Sequence, residues 1–283
     1  MITQGHRHSD FFFVLMSDPQ FGMFAAFSGL GDETVEGFRR RGLNVGKSPK
    51  VAGFDRETKL YERAIARTNE LKPSFVVVCG DMVHDADDLT QLRELQRISD
   101  KLSDQIPIYW VAGNRDVGTT PTRESLQRYR GRFGKDYYSF DHGGSRFIVL
   151  NSSVILDPSS VPREWERQLD FLMADLEDAR GKGCAHVVVF AHHPLFLHHP
   201  EEEDHKDTIP KVRRRVLRKA FKTYGVSAVF TGHRHRNSYS SDGNVLMVTS
   251  GPVGYPLGND PSGFMVVKVL EQSIEHEYLG LEA

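Results

Sequence analysis

The chain has 283 residues, a formal net charge of −2 and 39% hydrophobic residues. This near-neutral charge argues against non-specific nucleic-acid binding, which needs a basic surface. No segment approaches the ~20 apolar residues of a membrane helix, and the N-terminus lacks the apolar core of a signal peptide. Neither of the two cysteines, Cys79 and Cys184, resembles half of a disulfide. We therefore expect a cytoplasmic globular protein that binds neither membranes nor nucleic acid, and its oligomeric state stays open.

Strand-like and helix-like segments alternate along most of the chain. Short apolar runs predict buried strands, and apolar residues at a spacing of three or four predict helices. The predicted strands are Phe11–Met16, Phe75–Cys79, Ile108–Val111, His186–Phe190 and Val226–Phe230. The predicted helices are Lys59–Leu71, Asp88–Leu102, Thr122–Phe133, Pro162–Arg180 and Pro210–Tyr224. This alternation is typical of βαβ units around a mainly parallel sheet.

Other segments predict antiparallel strands. Residues 138–151 have the pattern of a hairpin that turns at His142, Gly143 and Gly144. After Gly232 the predicted strands are Val245–Thr249, Phe264–Leu270 and Ile274–Tyr278, with no helix. We expect these C-terminal strands to form a second sheet packed on the parallel one. No linker separates the two parts, so we predict one domain over residues 1–283, with a flexible tail at 1–9.

Two long connections interrupt this pattern. Residues 21–55 are rich in glycine and charge and have weak periodicity, and residues 198–209 are acidic. Loops of this length in a compact domain are usually functional lids or flexible excursions. Both follow strands that end in polar residues, so we leave two interpretations open, a role in covering substrate and a tolerated insertion.

Polar residues stand directly after several predicted strands. These residues are Asp18, Asp81, Asn114, His192, and the pair His233 and His235. The carboxyl ends of parallel strands meet at one edge of a sheet, so we expect these side chains to gather there. Carboxylates, an amide and imidazoles that converge are the donors of a two-metal hydrolytic site.

Asp81 has the position of a bridging ligand, because one shared carboxylate offsets the repulsion between two neighbouring cations. The expected ligands are Asp18, Asp81 and His235 for one ion, and Asp81, Asn114, His192 and His233 for the other. Taken singly, a Gly-Asp pair is usually a turn, and a His-x-His pair lies more often at the surface. It is the ordered series of such motifs, each after a strand, that favours metal binding.

The series resembles the calcineurin-like metallophosphoesterase superfamily from Asp10 to about Leu270. The shared motifs are Gly80-Asp81, Gly113-Asn114, His192 two residues before Pro194, and Gly232-His233-Arg234-His235. A closer likeness, through Asp18-Pro19-Gln20 and residues 79–84, is to the branch of calcineurin-like phosphoesterase domain-containing proteins of animals. The resemblance implies a four-layer α/β/β/α sandwich of two mixed sheets, with two metal ions at the strand ends. It also implies hydrolysis of a phosphate ester by a metal-bridging hydroxide.

The sequence departs from the superfamily at Gln20, where most members have histidine. By resemblance, Gln20 would join Asp18, Asp81 and His235 around one ion, although it need not bind at all. An amide oxygen is a weaker and harder ligand than imidazole. We therefore expect Mn²⁺ most of all, with iron, Mg²⁺ or Zn²⁺ as possible occupants.

A second departure is Arg115, which replaces a histidine that can protonate the leaving oxygen. Arginine stays charged and cannot be that acid, but it can bind the phosphoryl group. We expect Asp116 to hold Arg115 in a bidentate pair, and His84 or His193 to supply the missing proton or contact substrate. His193 facing the other side of its strand is an alternative. Arg234 could meet a second phosphate or lie at the surface.

The sequence thus predicts a binuclear phosphoesterase that hydrolyses phosphomonoesters on a protein or a small molecule. Phosphodiester or nucleotide pyrophosphate substrates stay open as alternatives, because Gln20 and the loss of a proton donor suit good leaving groups. A non-catalytic metal-binding or interaction module is the remaining alternative, and Arg115 is its support.

Overall fold

The computed structural model describes residues 9–281, so most of the predicted tail at 1–9 lies outside the described residues. The strands are β1 (Phe11–Met16), β2 (Val76–Cys79), β3 (Ile108–Val111), β4 (Tyr138–His142), β5 (Ser145–Val149), β6 (Val187–Phe190), β7 (Ala228–Thr231), β8 (Ser238–Asp242), β9 (Val245–Thr249), β10 (Gly263–Val269) and β11 (Ile274–Gly280). The helices are α1 (Met23–Ala26), α2 (Asp32–Arg40), α3 (Asp55–Leu71), α4 (Leu89–Ser99), α5 (Asn114–Val117), α6 (Arg123–Phe133), α7 (Ser152–Leu156), α8 (Pro162–Lys182) and α9 (Lys211–Tyr224).

These strands form two mixed sheets. The first has the order β11-β10-β1-β2-β3 and the second β4-β5-β6-β7-β9-β8. In the first sheet, Val14 of β1 pairs in parallel with Val76 of β2 and antiparallel with Val266 of β10. Each sheet therefore contains a run of parallel strands, as the βαβ alternation predicted. Antiparallel pairs flank this run at both edges of the second sheet but at one edge of the first, where β3 is a parallel edge strand.

The C-terminal strands do not make a sheet of their own, so that prediction was wrong. β10 and β11 extend the first sheet, whereas β9 lies parallel to β7 in the second sheet and β8 covers its edge. The expectation of antiparallel pairing is wrong for β9 against β7. Alternation along a strand predicts which face is buried, but not which distant strand will be its neighbour.

Three apolar layers separate the elements. Aromatic rings fill the space between the sheets, where the Phe13 ring centroid lies 4.9 Å from that of Phe75 and 5.6 Å from that of Phe190. Residues of α3 and α4, including Leu60 and Leu95, pack on the outer face of the first sheet. Residues of α8 and α9 do the same on the second sheet. The predicted four-layer α/β/β/α sandwich is confirmed.

Residues 21–55 contain α1 and α2 instead of one long loop. The Phe27 ring lies 5.2 Å from Phe38 of α2 and 5.4 Å from Tyr255, measured between centroids. Among the nine residues of α2 only Val35 is fully buried. A helix this short, with so few buried positions, leaves little periodic signal in the sequence, and that is why it was missed.

The other predicted features hold with small shifts. The hairpin of β4 and β5 turns at Gly143 and Gly144, and Pro162 is the first residue of α8. Pro210 precedes α9 as its N-cap instead of opening it. Cys79 and Cys184 are free thiols. No helix among residues 9–281 is both long and apolar enough to cross a membrane.

Candidate metal centre

The polar residues that follow the strands converge at one edge of the sandwich. The Nε2 atom of His192, after β6, lies 3.3 Å from Asp81 Oδ1 and 3.9 Å from Asp18 Oδ1. His235 Nε2, after β7, lies 3.2 Å from Asp18 Oδ1. His233 Nδ1 lies 3.2 Å from His192 Nε2. Carboxylates from the first sheet thus face imidazoles from the second.

An unusual backbone conformation brings these side chains together. Among residues 9–281, six non-glycine residues have a positive φ, and all but Lys72 are predicted metal ligands. The five ligands are Asp18, Gln20, Asp81, His233 and His235. Such left-handed residues are uncommon and cluster at functional sites. They explain how His233 and His235, two positions apart, can both face the centre.

Glycine is required beside two of the ligands. Gly80 has φ of 81°, and a Cβ atom there would collide with the His192 ring and approach Gly113 Cα to 2.9 Å. A Cβ atom on Gly113 would collide with the backbone nitrogen and carboxylate of Asp81. The glycines in the Gly-Asp and Gly-Asn motifs therefore provide the space that packs the two strand ends against each other.

The oxygen donors fit cations. Gln20 Oε1 and Asn114 Oδ1 are buried and have no hydrogen-bond partner among the described residues, and buried Asp18 Oδ1 faces the imidazoles of His235 and His192. Leaving a buried acceptor unpaired costs about 1–3 kcal/mol, so such atoms usually have an unseen partner. The other oxygen of Asp18 accepts a hydrogen bond from His233 N at 2.9 Å, which fixes the direction of Oδ1.

The imidazoles are oriented as metal ligands are. His192 donates from Nδ1 to Cys79 O at 2.9 Å, and His235 donates from Nδ1 to Tyr255 O at 2.6 Å. Each bond leaves the Nε2 lone pair directed at the carboxylates. Metal-bound histidines almost always hold their second nitrogen in this way.

The electrostatics of the cluster also favour a cation. Burial disfavours a charged His192, yet the Asp81 and Asp18 carboxylates raise its pKa to about 10. Burial opposes the ionisation of Asp81 as well, but His192 and His233 hold its pKa well below the usual range. The buried carboxylates thus favour a positive charge beside them, which a protonated imidazole or a bound cation can supply.

Gln20 lies against His84. Gln20 Nε2 is 3.1 Å from His84 Nδ1, and since the amide nitrogen can only donate, His84 accepts with its proton on Nε2. Burial, and then the charge of Arg115, lower the pKa of His84. Its backbone nitrogen donates to Gln91 Oε1 at 3.0 Å, which fixes its position. This contact turns the amide so that Gln20 Oε1 is the atom left without a partner.

The predicted pair between Asp116 and Arg115 was wrong. The Asp116 carboxylate accepts hydrogen bonds from the backbone nitrogens of Gly113 at 2.8 Å, Asp81 at 2.9 Å and Met82 at 3.0 Å. It therefore ties the end of β2 to the first turn of α5. Within residues 9–281 Arg115 makes no ion pair, and its exposed guanidinium lines the cleft above the cluster. The short helix α5, which separates the two side chains, was not visible in the sequence.

His193 lies in the cluster, so its alternative placement on the other face of the strand is wrong. Its Nδ1 is 2.8 Å from Ser152 Oγ, and its ring centroid is 4.3 Å from that of His233. Ser152 Oγ also accepts from the backbone nitrogens of His192 at 3.1 Å and His193 at 2.9 Å. Ser152, at the start of α7, was not identified from the sequence. Its only signal is its position shortly after a buried strand.

The acidic loop 198–209 reaches the site through Asp207. Asp207 Oδ1 is 3.5 Å from His233 Nε2, which leaves His233 Nδ1 directed at His192. Asp207 Oδ2 forms an ion pair with Arg234 Nη1 at 2.8 Å. Arg234 is therefore paired with a carboxylate, which it shares with Lys206. Asp207 was hidden in the sequence among other acidic residues of this loop.

These side chains surround one open cleft. It is lined by Gln20, Met23, Phe27, Leu43, Asp81, Asn114, Arg115, Lys206, Asp207, His233, Arg234, His235 and Leu257. Ligand-type oxygens and nitrogens form its floor, and Arg115 lies at its rim. Such a cleft can hold an anion between cations and a guanidinium.

The family model for Calcineurin-like phosphoesterase matches residues 13–237. The chain belongs to the calcineurin-like phosphoesterase family. It is 37% identical over 279 residues to human serine/threonine-protein phosphatase CPPED1, a match that covers 96% of this chain and 84% of that protein. The family predicted from the motifs is thus confirmed, and the chain is a metallophosphoesterase, an enzyme whose family uses divalent metal ions.

Solved structures agree on the fold of this calcineurin-like phosphoesterase. A dimetal phosphatase from Danio rerio superposes with a TM-score of 0.66 at 18% identity, with 96% of each chain covered. The purple acid phosphatase PPD1 from yellow lupin gives a TM-score of 0.65 at 14% identity, covering 98% of this chain and 52% of that one. At these identities the likeness shows the fold alone.

Proposed function

We propose that the chain is a binuclear phosphomonoesterase that acts on phosphoserine and phosphothreonine residues of proteins. The convergence of unpartnered buried oxygens with oriented imidazole nitrogens carries this proposal. Asp18, Gln20, Asp81 and His235 would hold one ion, and Asp81, Asn114, His192 and His233 the other. The similarity to human serine/threonine-protein phosphatase CPPED1 supports the substrate class.

The metal ions would supply Lewis acidity for the phosphoryl oxygens and a water of lowered pKa as nucleophile. Oxygen donors from Asp18, Gln20 and Asn114 are hard ligands, which suits Mn²⁺, iron or Mg²⁺ better than Zn²⁺. We propose Mn²⁺ as the preferred ion. Both cysteines are free thiols, as a cytoplasmic location would require, and that location is part of the proposal.

Arg115 is the proposed phosphate ligand. It lines the cleft and makes no ion pair within residues 9–281, so its donors are free for an anion. His84 is proposed to act through Gln20, because its Nδ1 accepts the amide hydrogen and leaves Oε1 for the metal. His193, buried beside His233 and fixed by Ser152, would border the bound phosphoryl group.

The test is hydrolysis by protein stripped of metal and reloaded with Mn²⁺. We expect Mn²⁺-dependent turnover of phenyl phosphate and of a phosphoserine peptide, and much slower turnover of bis-phenyl phosphate. Faster turnover of the diester would contradict the monoesterase proposal. Tight Mn²⁺ uptake without turnover of any of the three would contradict the enzyme and favour a binding module.

Arg115→His tests whether arginine replaces a proton donor. Alkyl phosphates need protonation of the leaving oxygen far more than aryl phosphates do, and general acid catalysis contributes about 10²–10⁴-fold. We expect Arg115→His to raise kcat on alkyl phosphates relative to aryl phosphates, at unchanged metal content. Arg123→His, an exposed arginine at the start of α6, is the matched control. An equal change on both substrates would contradict this role for Arg115.

A further inference from the structure

The mouth of the metal cleft has an apolar rim. Met23, Phe27, Leu43 and Leu257 line it together with the ligand residues. Phe27, Leu43 and Leu257 are partly exposed to solvent, whereas Met23 is buried. Apolar side chains that surround a polar floor are common where a ligand must be both bound and selected.

Two of these rim residues are hydrogen-bonded through their backbone to proposed metal ligands. The backbone nitrogen of Met23 donates to Gln20 O at 3.0 Å, and that of Leu257 donates to His235 O at 2.9 Å. The rim is therefore within reach of any group attached to a phosphoryl group on the floor.

The position of Leu43 is fixed by contacts across the cleft mouth. Its neighbour Asn44 donates from the backbone to Leu257 O at 2.9 Å, and Arg236 Nη2 donates to Gly42 O at 3.1 Å. The Phe27 ring is held between Phe38 and Tyr255. Residues 21–55 thus build a wall of the cleft, and the partly exposed leucines are held there before substrate arrives.

The basic residues of the rim, Lys206 and Arg234, attract acidic groups less strongly than two free cations would. Lys206 Nζ and Arg234 Nη1 both contact the Asp207 carboxylate, each at 2.8 Å. One carboxylate between two cations leaves a single net positive charge there. Arg115 is occupied by the phosphoryl group itself under the proposed function. This remaining charge lies at an exposed lysine, where solvent screens its attraction for an acidic residue. An apolar residue beside the phosphate would instead cover Leu43 and Leu257.

We propose that the site selects phosphoserine or phosphothreonine flanked by an apolar side chain, with Leu43 and Leu257 as specificity determinants. This inference rests on the proposed function, since it concerns the same cleft. Covering these leucines removes apolar surface from water, and one aliphatic side chain changes specificity by about tenfold.

The experiment compares two phosphoserine peptides that differ only in the next residue, leucine or serine, with Mn²⁺-loaded protein. We expect kcat/KM to be about tenfold higher for the leucine peptide, and a third peptide with aspartate to be no better than the serine peptide. Equal values for leucine and serine, or a preference for aspartate, would overturn the inference. Absence of Mn²⁺-dependent hydrolysis of phenyl phosphate and of every peptide would instead overturn the proposed function.

Variants at Leu43 and Leu257 test whether these two leucines cause the preference for an apolar neighbour. Leu43→Ser and Leu257→Ser should each reduce the leucine-to-serine ratio to about threefold or less, and Leu43→Met should keep it near the wild-type value. Leu89→Ser, at a leucine 52% exposed at the start of α4, is the matched control and should leave the ratio unchanged. A wild-type ratio in both serine variants would overturn the assignment to these leucines. Leu257→Ser gives an independent answer if Leu43→Ser does not fold.

Discussion

The two sheets contribute different chemistry to the centre. The loops after β1, β2 and β3 supply only oxygen donors, from Asp18, Gln20, Asp81 and Asn114. The loops after β6 and β7 supply only imidazoles, from His192, His233 and His235. On the oxygen side, Gln20 Oε1 and Asn114 Oδ1 have no hydrogen-bond partner among the described residues, and Asp81 Oδ1 accepts from Arg115 N at 2.7 Å. On the nitrogen side a backbone carbonyl or carboxylate holds each ring in place. The centre exists only where the two sheets meet.

Asp81→Asn should have the largest effect, because Asp81 is the oxygen ligand proposed to bridge both ions. Loss of several kcal/mol of transition-state stabilisation corresponds to roughly 10³-fold or more in kcat. We expect bound Mn²⁺, measured by elemental analysis, and phosphatase activity to fall together. Asp87→Asn, at an exposed carboxylate near the same strand end, is the control. Full activity in Asp81→Asn would contradict the assigned centre.

Asp207→Ala tests whether the Asp207 carboxylate positions the imidazole of His233. Without the carboxylate 3.5 Å from its Nε2, the His233 ring loses the contact that directs Nδ1 toward the centre. Loss of such an outer partner lowers metal affinity by about 10–100-fold. The Mn²⁺ dissociation constant, measured by calorimetry, should rise by that factor. Glu203→Ala in the same loop should leave it unchanged, and equal affinity in both variants would show that Asp207 does not position His233.

Gln20→His tests whether residue 20 binds metal, because it replaces an amide oxygen donor by an imidazole. Imidazole favours Zn²⁺ over Mn²⁺ relative to an amide oxygen, so we expect the ratio of Zn²⁺ to Mn²⁺ affinity to rise about tenfold. Competitive loading with both ions measures this ratio. Gln105→His, at an exposed glutamine in the loop that precedes β3, is the control. An unchanged ratio would mean that residue 20 does not bind metal.

Glu57→Gln should have the smallest effect, since Glu57 supports the oxygen side from a distance. Its Oε1 accepts from Gly22 N at 3.0 Å and Phe24 N at 2.9 Å, and burial raises its pKa above 4.5. The folded state therefore holds this proton at a higher pH than the unfolded state. The contribution of Glu57 to the free energy of unfolding should therefore fall as pH rises from its ordinary pKa through the raised one, and stay constant above that.

In Glu57→Gln that part of the pH dependence should disappear, because glutamine does not titrate. Denaturant unfolding at a series of pH values measures it. The same slope in wild type and variant would contradict a raised pKa for Glu57.

The sequence predicted the sandwich and the convergence of the ligand series because both follow from local patterns. Apolar runs specify buried strands, and the residues after parallel strands share an edge. It did not predict where β9 and β10 would pair, since strand partners depend on contacts distant in sequence. It also missed Asp207 and the rim residue Leu43, which lie in segments without clear periodicity. Their roles depend on how the two loops pack across the cleft.

The most direct test is the number of metal ions that one chain binds. Metal-stripped protein should be titrated with Mn²⁺ while free Mn²⁺ is followed by electron paramagnetic resonance. We predict two ions per chain, with the magnetic coupling expected of neighbouring ions that share a carboxylate. A single ion per chain, or two ions without coupling, would contradict a centre assembled from both sheets.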